Sequence, residues 1–227
     1  MKKIVWAGLI VLAVIYFSFS LDKAFRYSQK QSLKEMSTNY KEEQFKIISA
    51  CTKEIEALPT VELYIKRGNA YATLSGFKEF IPKNYAKGAI FDYNQAIAID
   101  PNSFDAYYNR ALIFLKEKDY DQAISSFTKA IEIKPNNNFG ISFVYYMRAR
   151  AFAEKGYLDK AILDYTKTLE LNPHDPSVYD ERAKVYFSIK EYEKAWLDVH
   201  KAESLGHVTN PGFLKVLREA SGSSAEN

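Results

Sequence analysis

A pattern of aromatic, arginine and small residues occurs four times in this chain. In the first half of each copy an arginine precedes a small residue, and in the second half an alanine recurs after 34, 38 and 34 residues. The three columns are Arg67, Arg110, Arg148 and Arg182, then Gly68, Ala111, Ala149 and Ala183, then Ala89, Ala123, Ala161 and Ala195. Residues three and four apart share one face of a helix, so these small residues allow two helices to approach closely. The pattern therefore predicts an all-α array of antiparallel helical hairpins.

The ends of the copies are also alike. The run from Ala123 to Pro135 recurs, with similar residues, from Ala161 to Pro173. A period of about 34 residues with small residues at the helix contacts is typical of tetratricopeptide repeats, and the chain resembles that family over roughly residues 59–222. The resemblance implies a right-handed superhelical solenoid of about four repeats with a capping helix. It also implies a binding scaffold and not an enzyme.

The expected organisation has five parts. They are a signal anchor, a helical spacer with a degenerate cap, the four repeats, a capping helix and a disordered tail, at residues 1–21, 22–58, 59–207, 208–222 and 223–227. The repeats are expected at about 61–101, 104–135, 142–173 and 176–207. Extra residues are expected in two loops, Ser75–Asn84 inside the first hairpin and Asn136–Ile141 between the second and third units, because loops at helix junctions tolerate insertions.

The amino terminus carries an uncharged run from Ile4 to Leu21, preceded by Lys2 and Lys3. Eighteen such residues are at the lower limit for a helix that spans a bilayer. A cleaved signal peptide is the alternative, since Ser18-Phe-Ser20 has the small residues of a cleavage site. We expect the repeats outside the cytoplasm in a bacterial envelope, on a retained membrane anchor or secreted into the periplasm after cleavage.

Composition and spacing argue against several functions. The chain has 31 Lys plus Arg against 28 Asp plus Glu, without the basic cluster that a nucleic-acid partner requires. His174, His200 and His207 lack metal-ligand spacing, and no glycine-rich phosphate loop or Gly-x-Ser-x-Gly sequence is present. We therefore expect no catalytic residue, no metal and no cofactor. The single cysteine, Cys51, is expected to pack in a helix interface.

The arginine column has an acidic counterpart in the second helices. This counterpart consists of Asp92, Asp164 and Asp198, with Ser126 in the second unit. Opposite charges that recur together predict an ion pair inside the hairpins that carry the aspartate. A row of ligand-binding arginines is the alternative.

In the family that the chain resembles, partners commonly lie in a concave groove lined by the first helices. The candidate partner-binding residues are Asn69, Tyr108, Asn109, Leu112, Leu115, Phe143, Tyr146, Met147, Arg150, Lys184 and Phe187. Four of them are expected to point away from the hairpin seams, namely Tyr108, Leu112, Tyr146 and Phe187. The alternative is that successive first helices pack these four against each other.

The chemistry of the groove narrows the kind of partner. Some family members hold the carboxylate of a chaperone tail with basic residues, but Ile65, Phe143 and Met147 occupy those positions here. An apolar groove with two cations, Arg150 and Lys184, at its far end suits an extended or helical peptide that buries apolar side chains.

The sequence therefore predicts a membrane-tethered scaffold for protein contacts. Two alternatives stay open. One is a non-catalytic accessory or assembly subunit of an envelope enzyme or secretion complex. The other is a structural protein that self-associates into homo-oligomers.

Overall fold

The computed structural model describes residues 38–76, 84–133 and 138–222. The predicted anchor 1–21, the start of the spacer and the tail 223–227 lie outside these ranges. The chain divides into two compact units, Met1–Ala50 and Cys51–Asn227. Among the described helices, none combines the length and the apolar character that crossing a membrane needs.

In the described part of the chain every element of regular secondary structure is a helix, which confirms the predicted all-α fold. Helix α1 covers residues 38–57. The helices that follow it are α2 (Val61–Leu74), α3 (Asn84–Ile99), α4 (Phe104–Lys116), α5 (Tyr120–Ile133), α6 (Asn138–Glu154), α7 (Leu158–Leu171), α8 (Pro176–Ser188), α9 (Tyr192–Ser204) and α10 (Pro211–Ser221).

Four hairpins account for α2 to α9, and each pairs a first helix with the next second helix. Short turns join the two helices of the last three hairpins, and one residue in each turn has a positive φ: Lys118, Gly156 and Lys190. This left-handed conformation ends the first helix and reverses the chain. Each second helix then contacts the first helix of the following hairpin, so the units stack in sequence order.

Small residues at the helix crossings produce this close packing. The alanines of both small columns are fully buried, for example Ala123 and Ala161. At Gly68 a Cβ atom would lie 2.8 Å from Cε1 of Tyr93, so a side chain there would displace the ring. The flanking aromatics Phe127 and Tyr165 fill the interior beside the alanines. The predicted contact of small residues within the hairpins is confirmed.

The carboxyl-terminal helix α10 packs against the last hairpin, as predicted. Asn210 caps it by accepting a hydrogen bond of 2.8 Å from the backbone N–H of Gly212. Leu217 is fully buried beside α9, and the Phe213 ring meets that of Phe187 at 5.6 Å. Val216 lies on the outer side of the helix and is 43% exposed.

The second predicted loop insertion is largely helical. Residues Asn136–Ile141 were predicted as a loop, but α6 begins at Asn138. The added residues therefore extend the first helix of the third unit by about one turn. None of the residues from 138 to 141 is a proline, so nothing in the segment prevents the helix from continuing toward its amino terminus.

Candidate functional site

The arginine column forms ion pairs inside three hairpins, as predicted. Nη2 of Arg67 lies 2.7 Å from Oδ1 of Asp92, and Nε of the same arginine donates to Oδ2 at 2.9 Å. The pairs Arg148–Asp164 and Arg182–Asp198 repeat this bidentate geometry, each with a shortest distance of 2.7 Å. The hydrogen bond to Asp92 raises the pKa of Arg67 above its ordinary value. Each pair joins the first helix of a hairpin to its second helix.

Every arginine of the column also contacts the preceding unit, a feature that the sequence analysis missed. Nη1 donates to an oxygen on the preceding second helix at 2.6 to 3.1 Å, and the acceptors are Thr52, Asn94, Thr128 and Thr166. The last three form a column five residues after the column alanine, so a small polar residue recurring there was the available signal. One arginine thus connects three helices.

The acceptor Thr52 also identifies the role of the end of α1. Arg67 reaches Thr52 in the same way that the later arginines reach the preceding second helix. Cys51, the neighbour of Thr52, is fully buried, and burial raises the pKa of its thiol. In this respect residues 51–57 contact the first hairpin as a second helix of a preceding unit would.

The second unit departs from the other three at its arginine. Arg110 donates from Nε to Oγ of Ser126 at 3.2 Å and from Nη1 to Oδ1 of Asn94 at 2.6 Å. Its guanidinium also lies 5.1 Å from the ring of Tyr107. No carboxylate of the described residues pairs with it, and burial lowers the pKa of Arg110 below its ordinary value. A partly buried cation here has only neutral partners.

The predicted binding residues lie on the first helices α2, α4, α6 and α8. We call the surface that these residues form the first-helix face. Tyr108 is half-buried and its ring meets those of Phe127 and Phe143 at 6.3 Å. Burial raises the pKa of the Tyr108 hydroxyl to about 12. The Tyr146 ring in turn lies 6.0 Å from the rings of Phe143 and Tyr165. A continuous aromatic row therefore joins the second and third units.

This packing corrects the expectation that four of these residues point away from the hairpin seams. Tyr108 contacts Phe127 on its own second helix, and Tyr146 does the same with Tyr165. Phe187 lies 5.8 Å from Tyr192 and also meets α10. A tyrosine or phenylalanine side chain is long enough for its ring to reach the seam even when its Cα–Cβ bond points away from it. Leu112 is likewise half-buried, next to the core of the second unit, where Leu115 and Met147 join it.

On the third unit, two predicted residues of this face are exposed. The Phe143 side chain is 40% exposed although it contacts both tyrosines of the aromatic row. Arg150 is exposed and its guanidinium lies 5.9 Å from the ring of Tyr146. An exposed aromatic ring and an exposed cation, seven residues apart on α6, thus both contact Tyr146.

Of the two cations expected at the far end, Lys184 forms ion pairs. Nζ of Lys184 lies 2.7 Å from Asp180 and 2.9 Å from Glu181, so two carboxylates compensate it. Asp180 itself is buried, and His207 approaches it at 3.6 Å. The end of the face therefore carries mixed charge.

The asparagines of the first two units are engaged with each other. Oδ1 of Asn69 accepts from the hydroxyl of Tyr93 at 2.8 Å and from Nδ2 of Asn109 at 3.1 Å. The bond from Tyr93 joins the two helices of the first hairpin, and the bond from Asn109 links the first helices of adjacent hairpins.

The family comparisons agree with this architecture. The model described as "Tetratricopeptide repeat" matches residues 104–137, a second with that description matches 142–175, and a "TPR repeat" model matches 83–118.

Two curated proteins are similar over short stretches. One is the Photosystem I assembly protein Ycf3 of Acaryochloris marina, 34% identical over 65 residues, which are 27% of this chain and 39% of that protein. The other is a DnaJ homolog subfamily C member 3 homolog of Dictyostelium discoideum, 41% identical over 51 residues, 22% of this chain and 10% of that protein. The matched part of this chain spans well under half the length of either relative.

Solved structures share the fold over a longer range. A crystal structure of MamA has a TM-score of 0.62 at 24% identity and covers 70% of this chain and 86% of its own. MamA from Desulfovibrio magneticus has a TM-score of 0.57 at 19% identity and covers 74% and 95%. A chain of the APC/C hetero-tetramer Cut9-Hcn1 has a TM-score of 0.60 at 18% identity, over 79% of this chain and 33% of that one.

Residues 83–137 and 142–175 of this chain are tetratricopeptide repeats, and the chain has the fold of a tetratricopeptide solenoid.

Proposed function

We propose that this chain is a membrane-tethered scaffold that binds a protein or peptide partner on its first-helix face, without chemistry of its own. The observation that carries the proposal is the exposure of Phe143 on the aromatic row, together with exposed Arg150, which contacts the same Tyr146 ring. A partly exposed ring held by neighbouring rings loses little conformational entropy on binding, and such aromatics often dominate interface energies. The partner is a segment that offers an apolar side chain to Phe143 and an acidic or carbonyl group to Arg150.

An assembly role is the more specific form of this proposal. It is supported by the similarity to Ycf3, a protein named for photosystem I assembly. In that role the chain holds subunits of an envelope complex together and carries no reaction. The nearly equal numbers of basic and acidic residues favour a protein partner over a nucleic acid.

Site-specific crosslinking tests the binding face. We expect a photo-reactive phenylalanine analogue in place of Phe143 to give a discrete protein adduct in cells of the native host. The matched control places the same analogue at Leu197, which is exposed on the second helix of the fourth unit. Equal adducts at both positions, or none at Phe143, would contradict binding on the first-helix face. An adduct of twice the mass of the chain would identify self-association instead, as would sedimentation that depends on concentration.

Membrane tethering rests on the uncharged run from Ile4 to Leu21. We expect the mature protein to keep this run and to stay with membranes after a high-salt wash, whereas a chain that starts near Tyr40 is soluble and helical. Amino-terminal sequencing of the mature protein provides the measurement. A mature chain that begins at Leu21 or Asp22 would replace the anchor with a cleaved signal and leave a secreted protein.

A further inference from the structure

The four repeats provide an internal comparison at the arginine column. In three of them the Nη2 group donates to an aspartate Oδ1, at 2.7 Å for Arg67, 2.9 Å for Arg148 and 2.8 Å for Arg182. In the second repeat no described residue accepts a hydrogen bond from Nη2 of Arg110. Equivalent helices surround the four arginines, so the difference between the repeats originates at the residue that faces the arginine.

At that position Ser126 is shorter than an aspartate and uncharged. Its hydroxyl is fully buried and accepts from Nε of Arg110 at 3.2 Å. A hydroxyl that accepts a hydrogen bond still has its own hydrogen to donate. Nη2 of Arg110 and the hydroxyl of Ser126 therefore offer two donors around the place that a carboxylate fills in the other repeats.

Electrostatics favours a negative group at this place. The Arg110 guanidinium is partly buried, and its described polar partners are the neutral groups of Ser126 and Asn94. A partly buried charge without a counter-charge destabilises a fold, and a compensating anion removes part of that cost. Arg110 is itself only partly buried, so part of its side chain stays accessible to solvent ions.

We propose that the second repeat binds a small monovalent anion, of which chloride is the most abundant, against Nη2 of Arg110 and the hydroxyl of Ser126, where the other repeats place an aspartate carboxylate. The ion accepts hydrogen bonds from Nη2 and from the Ser126 hydroxyl. Its size is limited because the site corresponds to the position of one aspartate carboxylate in the other repeats. Divalent oxyanions such as sulfate are larger than the carboxylate that the fold accommodates.

The test compares thermal unfolding of the full chain in sodium chloride and in sodium gluconate, with chloride varied from about 10 to about 300 mM at constant ionic strength. We expect chloride to raise the melting temperature of the wild type by about 2 °C, as for any ligand bound only by the folded state. In Ser126→Asp the added carboxylate takes the site of the ion, so the variant melts higher in gluconate and no longer responds to chloride. Asp164→Ser is expected to install the chloride response in the third repeat.

A direct measurement keeps the proposal falsifiable if a variant folds poorly. The wild type is expected to broaden the chloride-35 resonance, and Ser126→Ala, which removes one donor and adds no charge, should broaden it less. Equal chloride responses of the wild type and Ser126→Asp would show a general salt effect and overturn the proposal. Absence of both broadening and thermal shift would show that water solvates Arg110, and would also overturn it.

Discussion

The Ala161→Glu variant is expected to lose about 3 kcal/mol or more of the free energy of unfolding. Ala161 is fully buried where α7 crosses α6, in the cluster that contains Ala149 and Tyr165. A glutamate there adds volume to a close helix contact and places a carboxylate without a partner among apolar groups. Chemical denaturation followed by circular dichroism measures the loss as a lower denaturation midpoint.

The same helix provides the matched control. Leu163 lies two residues further along α7 and is 69% exposed, so Leu163→Glu adds the same side chain on the solvent side. Its stability should stay within about 0.5 kcal/mol of the wild type. If Ala161→Glu unfolds like its parent, the helix contact of the third hairpin does not depend on this alanine.

Hairpin pairing could be predicted from the sequence because it depends on local spacing. Alanines seven residues apart, such as Ala123 and Ala130, lie on one helix face, and only the seam between two helices requires such small residues. The ion pairs followed for the same reason, since Arg148 and Asp164 recur at fixed distances from the alanine columns. Both features belong to a single hairpin, whose geometry the repeat fixes.

Contacts between hairpins were harder to predict. The bond from Nη1 of Arg148 to Thr128 requires the register of one unit against the next, which no spacing within a unit determines. The compensation of Lys184 is different, because Asp180 and Glu181 precede it by four and three residues in one helix. That spacing predicts ion pairs in any helix, and it was available in the sequence.

The expectation that the groove aromatics point away from the hairpin seams was wrong because these side chains are long. Positions on a helix wheel give the direction of the Cα–Cβ bond, and by that criterion Tyr146 belongs to the first-helix face. The ring extends far enough along the helix to meet Tyr165 at the seam. Phe143 contacts Tyr146 but stays 40% exposed. Of these two neighbours on one face, Tyr146 therefore packs toward the core and Phe143 lies at the surface.

Replacing both Tyr108 and Tyr146 with alanine is expected to cost about 3 kcal/mol of the free energy of unfolding. Each ring is half-buried and contacts an aromatic residue of its own second helix, Phe127 or Tyr165. Their removal leaves cavities beside two hairpin seams, and the cost is below that for fully buried aromatics because both side chains retain solvent contact. Urea denaturation of the double variant and of each single variant measures it.

The single variant Phe143→Ala separates stability from binding on the same face. Phe143 touches both tyrosines, so the two single losses should not add to the double loss, whereas removal of the exposed ring alone should cost no more than about 1 kcal/mol. Partner recovery should follow the opposite order, because Phe143 is the side chain that offers free surface. A drop of at least tenfold in recovery for Phe143→Ala corresponds to about 1.4 kcal/mol of binding energy. A double tyrosine variant that keeps the wild-type stability but loses its partner would instead return these tyrosines to the binding surface and contradict their role in the core.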